Sequence, residues 1–257
     1  MILKRALKAA LVLLAALMLY GMQAQEARAV ITYQSAGAVG NSAVTSIDPA
    51  YPASVAAGDL LILIIGMKPS VANSGSVTAP EGWTLITSLT GAGGYGTTLG
   101  ADTGNTNVFA YYKVAEGNET GSLRVRLTTN SIAWAQMYRL TNATQDWSVA
   151  GTTGSDTTGG AAVSITMSAD PGVTAGDFIL GAMIIPTDVS TPTKFSAEAF
   201  SQTGVTFGAV TEISEADSAL GNDIGGFVVR SSVSSGTGSA APVMTATAGG
   251  KSPGAGW

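Results

Sequence analysis

The chain contains no cysteine and no histidine. Without cysteine no disulfide staples the fold, and neither lipid attachment at a cysteine nor a Cys–His nucleophile is available. Without histidine the commonest general base, pH switch and transition-metal ligand is missing. Zinc, copper, haem and iron–sulfur centres built from their usual ligands are excluded on these grounds, as is a Ser–His–Asp triad. Charge is scarce as well, with Asp, Glu, Lys and Arg at 11% of residues. Helical periodicity is lacking after residue 30; the one helix-like stretch, residues 214–220 (SEADSAL), reads as a short turn.

An export signal is present at the start. Lys4, Arg5 and Lys8 precede an apolar run over residues 9–22 (AALVLLAALMLYGM), and Ala27-Arg28-Ala29 supplies a small-x-small cleavage site. These parts make residues 1–29 a secretory signal peptide and Val30 the mature N-terminus. The apolar run falls short of the ~20 residues of a membrane span, so no span is expected in the mature chain. Of 12 basic and 17 acidic residues, Lys4, Arg5, Lys8, Arg28 and Glu26 leave with the signal. Eight basic and sixteen acidic residues remain, a formal charge of −8. No basic cluster is left to neutralise phosphates, so nucleic acid is not an expected partner. Hydrophobic residues reach 46%, which argues against disorder. The mature length, 228 of the 257 residues, is enough to bury a core without disulfides.

Strand patterns fill the rest. Residues 59–65 (DLLILII) and 177–185 (DFILGAMII) are continuous apolar runs, the mark of strands covered on both faces. Residues 122–128 (SLRVRLT) alternate strictly, with Leu123, Val125 and Leu127 on one face and Arg124 and Arg126 on the other, as a half-buried antiparallel strand requires. Further strands are expected at 83–88, 108–114, 132–140, 162–167, 205–213 and 226–231, with a weak last one at 242–248. The fold class is therefore all-β, an antiparallel β-sandwich with a jelly-roll-like layout after the signal peptide. Burial on both faces makes a charge at Ile62 or Ile179 incompatible with folding.

The phrase Val55-Ala56-Ala57-Gly58-Asp59-Leu60-Leu61-Ile62-Leu63 returns as Val173-Thr174-Ala175-Gly176-Asp177-Phe178-Ile179-Leu180, with Asp177 118 residues after Asp59. That spacing exceeds solenoid periods. Two arrangements fit: one sandwich domain over 30–257 with the same turn used twice, or two pseudo-repeated halves, 30–150 and 161–257, joined by the low-complexity stretch 151–160 (GTTGSDTTGG). The single sandwich is the expectation, because each half offers few strands.

Four phrases in order, Ala56-Ala57-Gly58-Asp59-Leu60-Leu61, Pro80-Glu81-Gly82-Trp83-Thr84-Leu85, Ala110-Tyr111-Tyr112-Lys113-Val114-Ala115 and Tyr138-Arg139-Leu140, resemble a loose group of β-sandwich modules in phage tail or fibre proteins and bacterial surface proteins. The resemblance covers about residues 31–248 by strand order. It implies a jelly-roll-like sandwich in a structural or adhesive setting, and it carries no catalytic motif.

The residues with chemistry to offer are few. Asp59 and Asp177 read as turn caps. Glu212, Glu215, Asp217 and Asp223 form the densest acidic cluster, a candidate calcium site because oxygen ligands are the only metal ligands left. A pair of these carboxylates is also the minimum for a glycosidase, ranked last among the functions. Residues 102–107 (DTGNTN) offer further oxygens but read as a polar loop. Tyr95, Tyr112 and Trp147 are the candidate sugar-stacking aromatics, whereas Trp83 and Trp134 are assigned to the core. Asn118-Glu119-Thr120 and Asn142-Ala143-Thr144 match glycosylation acceptors. No cofactor is called for. The expected role is a secreted, non-enzymatic surface or fibre protein, with carbohydrate binding as the alternative. Surface glycans and copies of the chain itself are the expected partners, the latter by strand pairing at an open sheet edge with residues 30–35 (VITYQS) as donor, unless that segment closes its own sheet.

Overall fold

A run of apolar residues that alternates between two buried faces needs a layer of protein on each side, and two such runs organise this molecule. The computed structural model describes residues 30–42, 44–70, 75–92, 104–157, 162–186, 195–217, 224–247 and 255–256. Residues 1–29 lie outside them. Residues Ile31–Trp257 form one compact unit. Every regular element among the described residues is a strand.

The first half contains β1 (Thr32–Ala36), β2 (Gly40–Ser42), β3 (Ser46–Ile47), β4 (Leu60–Pro69), β5 (Val77–Thr78), β6 (Thr84–Ala92), β7 (Thr106–Val114), β8 (Val125–Leu127) and β9 (Ser131–Thr141). The second contains β10 (Gly154–Ser155), β11 (Ala162–Thr166), β12 (Phe178–Ile185), β13 (Ser196–Ser201), β14 (Val205–Phe207), β15 (Thr211–Asp217), β16 (Gly225–Gly236), β17 (Val243–Thr247) and β18 (Ala255–Gly256). They form four sheets rather than the two of a simple sandwich. The large sheets run β1-β9-β4-β7-β6 and β10-β18-β12-β16-β14, with β2 on β9 and β15 on β16; the small ones run β3-β8-β5 and β11-β17-β13. All named pairings are antiparallel.

Parity of the apolar runs sets the layering. Leu61, Leu63, Ile65 and Met67 of β4 meet Ile47, Val125 and Leu127 of the small sheet in one core. Met183 and Ile185 of β12 meet Ile165, Met244 and Ala246 of the other small sheet in a second core. The opposite faces, Leu60, Ile62 and Ile64 of β4 and Ala182 and Ile184 of β12, share a middle layer with Trp134, Tyr138 and Val228. Each buried Leu or Ile contributes about 1.5–3 kcal/mol, so the consecutive apolar residues of β4 and β12 hold three layers together.

The 118-residue echo extends well beyond the Gly-Asp turn. Gly58 N–H donates to Ala115 O and Ala115 N–H to Asp59 O; Gly176 N–H donates to Val233 O and Val233 N–H to Asp177 O, every donor–acceptor distance being 2.8–2.9 Å. Ile64 stands opposite Ala110, and Ala182 opposite Val228. Each of these residues has its counterpart 118 positions later.

The middle layer is tightest where two glycines admit an indole. Trp134 is fully buried. A Cβ at Gly226 would lie 2.5 Å from Trp134 Cζ2 and 2.8 Å from Met183 O, and one at Gly66 2.9 Å from Ile184 Cδ1. Polar links cross the same layer. Tyr138 donates to Gln136 Oε1 (2.8 Å) and shares a 2.6 Å hydrogen bond with Ser214 Oγ of β15, in which Ser214 is the donor because the phenol has spent its only proton. The buried Lys68 ammonium donates to Pro186 O (3.3 Å), and Arg230 lies over the Tyr33 ring at 5.1 Å.

Three local expectations are corrected. Residues 205–213 are not one strand: β14 and β15 both pair with β16 but are interrupted at residues 208–210, where Gly208 N–H bonds Ser232 O (2.7 Å). Residues 214–217 are strand rather than turn, because the six rungs that pair β15 with β16 override their helical composition. The 242–248 strand exists as β17 but is followed by β18. The expected loop 151–160 contributes the two residues of β10. Segment 30–35 lies largely in β1, antiparallel to β9 of its own chain.

Burial separates the two runs. Ile62 is 4% exposed, whereas Ile179 is half-buried. Ile62→Asp is expected to abolish cooperative unfolding, since an uncompensated buried charge costs several kcal/mol against a total near 5–15. Ile179→Asp is expected to leave a folded, cooperatively melting protein, correcting the equal penalty expected above. Gly226→Ala is expected to cost about 1–3 kcal/mol by overpacking against Trp134. Thermal melts of the three variants check all of this; an unchanged Gly226→Ala midpoint would show that the middle layer is slack.

Candidate functional site

The two Gly-Asp turns settle what their carboxylates do. Asp59 Oδ2 accepts from Ala56 N–H (2.8 Å) and from Arg139 Nε (2.6 Å). Asp177 Oδ2 accepts from Thr174 N–H (2.7 Å) and Thr174 Oγ1 (3.2 Å). Gly58 and Gly176 supply φ of 87° and 90°, a region that favours glycine. Both aspartates cap the turns that launch the central strands, as their sequence position implied.

The acidic cluster takes a different shape from the one spacing suggested. Glu212 and Glu215, both on β15, come together with Glu198 of β13, which hydrogen-bonds the Glu212 carboxyl. Asp223 and the side chain of Asp217 lie outside the described residues. Sequence reasoning missed Glu198, 14 residues upstream of Glu212 on another sheet. Burial first, then the negative charges of Glu215 and Glu198, and then the bond to Glu198 push the Glu212 carboxyl up to about 7. Glu198 Oε1 is buried without a hydrogen-bond partner among the described residues. No group of three or more acidic side chains among the described residues is arranged to hold a metal ion. The cluster therefore suits proton sharing between carboxylates.

Tyr112 and Trp147 are half-buried and pack against the middle layer. The Trp147 indole donates to Gly58 O (2.9 Å), which ties the segment after β9 to the first Gly-Asp turn. Tyr95 lies outside the described residues. Asn118 is exposed, while the Asn142 amide donates to Asp146 O (2.9 Å) within its own turn.

A cleft that the sequence did not announce lies on the first half. Its cavity of about 320 Å³ is lined by residues that include Tyr51, Pro52, Ser54, Glu119, Thr120 and Gly121. Glu119 is 8% exposed and accepts from Glu116 N–H and Gly117 N–H at 2.9 Å each, with Lys113 Nζ at 3.0 Å. Burial alone pushes this carboxyl up, but the N–H donors and the ammonium outweigh it and hold it down at about 2. The result is a fixed, fully engaged anion beside the Tyr51 ring and turn backbone. Residues 51–54 and 117–121 meet only in the fold, and the sequence marked residues 118–120 as a glycosylation acceptor rather than as part of a cleft.

The two perturbed carboxylates oppose each other in pH. Glu119, lowered, contributes stability that is present above the unfolded value near 4.5 and lost as pH falls through about 2. Glu212, raised, contributes stability that is full below 4.5 and lost as pH rises through about 7. Stability is expected to fall between pH 5 and pH 8, modestly because Glu212 is exposed as a residue. Glu212→Gln should flatten that limb; melting midpoints of both proteins across the range check it, and parallel curves would refute it. Set beside known proteins, the chain matches no family model, no curated protein and no solved structure.

Proposed function

We propose that this chain is an exported, non-enzymatic structural or adhesive protein, a surface or fibre component built from two fused jelly-roll-like sandwiches. The observation that carries this reading is the shared middle layer. It joins two equivalent halves across Trp134, Gly66 and Gly226 into one unit, a construction suited to a load-bearing or display block. The jelly-roll reading is supported by strand order: in each half a central strand (β4 or β12) is flanked by strands that come later in the chain, and the small sheet takes the strand just before the central one (β3 or β11) and two that follow it (β5 and β8, or β13 and β17). Connections thus cross repeatedly between the two sheets of each sandwich. Export is supported by residues 1–29, and the resemblance to phage and bacterial surface modules points the same way. No calcium or other cofactor is assigned a role in this reading.

A second reading, carbohydrate binding, draws on the Tyr51–Glu119 cleft rather than on Tyr95, Tyr112 and Trp147. Expression in a secreting host, N-terminal sequencing of the exported protein, and a glycan array on the purified chain test both. The first reading expects secretion with Val30 at the N-terminus and no turnover of polysaccharides. Retention in the cell with Met1 intact would contradict it. Glycan binding lost in Tyr51→Ala would favour the second.

A further inference from the structure

Two stretches match the Asn-x-Thr acceptor of N-linked glycans, Asn118-Glu119-Thr120 and Asn142-Ala143-Thr144, and the fold treats them in opposite ways. The first lies in the loop between β7 and β8. Its middle residue, Glu119, is 8% exposed and is held inward by Glu116 N–H, Gly117 N–H and Lys113 Nζ at 2.9–3.0 Å. Asn118 and Thr120 on either side of it are both exposed. The loop is pinned through the residue that the acceptor pattern leaves free to vary. The amide and the hydroxyl that define the pattern stand together on the water side, as residues two apart in extended chain do.

The second acceptor is consumed by its own turn. Asn142 is half-buried. Its Nδ2 donates to Asp146 O (2.9 Å), its Oδ1 accepts from Gln145 N–H, and Thr144 Oγ1 accepts from Asp146 N–H (3.4 Å). Gln145 sits at a φ of 56°, a region that residues with a side chain seldom adopt, and these bonds hold it there. A transferase could engage Asn142 only by opening the turn.

We propose that Asn118 is an attachment site for an N-linked glycan and that Asn142, despite the same pattern, is not. The donor is an oligosaccharide carried on a lipid pyrophosphate. Transfer forms a bond from Asn118 Nδ2 to C1 of the first sugar and breaks the bond from C1 to the pyrophosphate. The lipid pyrophosphate leaves with the bonding pair, the amide proton passes to the transferase, and nothing is oxidised or reduced. A sugar chain is bulky and needs a surface position, which the outward side of this loop supplies. Because Gly117, Glu119 and Thr120 line the cleft beside Tyr51, the glycan would stand at the rim of that cleft.

The inference rests on the reading of the chain as exported, which brings it to the compartment where such transferases act, but its test involves no export step. The chain from Val30 to Trp257, purified folded from a host that lacks N-glycosylation, is incubated with an oligosaccharyltransferase and a lipid-pyrophosphate-linked oligosaccharide. Peptides of residues 115–123 (AEGNETGSL) and 139–147 (RLTNATQDW) are treated alike, and products are mapped by mass spectrometry. Both peptides are expected to accept the glycan, since neither has a fold to discriminate. In the folded chain, transfer to Asn142 is expected to be at least about tenfold slower than to Asn118, because the hydrogen bonds of its turn must open first. Asn118→Gln should lose the product while melting at an unchanged midpoint, and Asn142→Gln should keep it. Transfer to neither peptide nor chain, transfer to the peptides but not to Asn118 of the folded chain, or equal transfer to Asn118 and Asn142 in the folded chain would each overturn the proposal.

Discussion

Everything in this molecule hangs on the contact between its two large sheets. Most sandwiches put one face of a sheet on the core and the other in water. Here both large sheets are covered twice, by their own small sheet and by each other. That demand explains the continuous apolar runs of β4 and β12, where alternation would otherwise be expected. It also explains the two glycines: an indole the size of Trp134 fits between sheets only where Gly66 and Gly226 withhold a side chain. The Trp134 Nε1 is buried without a hydrogen-bond partner among the described residues, a cost on the order of 1–3 kcal/mol. The surrounding apolar contacts must outweigh it, which fits a layer selected for packing rather than for polar satisfaction.

The polar contacts in that layer fix orientation. The chain from Gly37 O through Gln136 and Tyr138 to Ser214 links β9 to β15 of the other half, with distances of 2.9, 2.8 and 2.6 Å. Burial raises the Tyr138 phenol far above its ordinary value, so it stays a neutral donor throughout the accessible pH range. Hydrogen bonds of this kind contribute little net stability but penalise any register in which they are left unmade. A slip of one residue in β9 would point Tyr138 into the first core and leave Ser214 facing hydrocarbon.

How much of this the sequence disclosed follows from the range of the interactions involved. Strict alternation at Val125, Arg126 and Leu127 became the buried–exposed–buried pattern of β8, and the assignment of residues 132–140 to a strand over a helix held, since period-two packing is written locally. The Gly-Asp echo was legible for the same reason: each turn closes within four residues. What escaped was long-range. That the two runs belong to different sheets is invisible to periodicity, because a residue covered by a small sheet and one covered by the opposite half look alike. Glu198 joined Glu212 and Glu215 only through sheet stacking, and the Tyr51–Glu119 cleft only through the meeting of two distant turns. Trp147 read as a sugar-stacking aromatic, yet its Nε1–H···O bond to Gly58 draws it half into the middle layer.

A pseudo-repeat invites attention to its departures, since what both halves share is explained by folding alone. The shared parts are the capped turn, the face parity and the central pairing. The unshared parts are polar or open. The first half has the Lys113–Glu119 pair, at 3.0 Å, and the cleft beside it. Its counterpart on the second half is Ser231, 118 residues after Lys113, whose hydroxyl donates to Gly208 O (3.0 Å) within the sheet. The second half in turn gathers three carboxylates between β13 and β15, an arrangement that costs stability as Glu212 ionises. Neither set belongs to the apolar clusters of the three cores. Two halves built by one rule and differing in such polar groups are what is expected if the fold serves as a scaffold and interaction is left to the parts that differ.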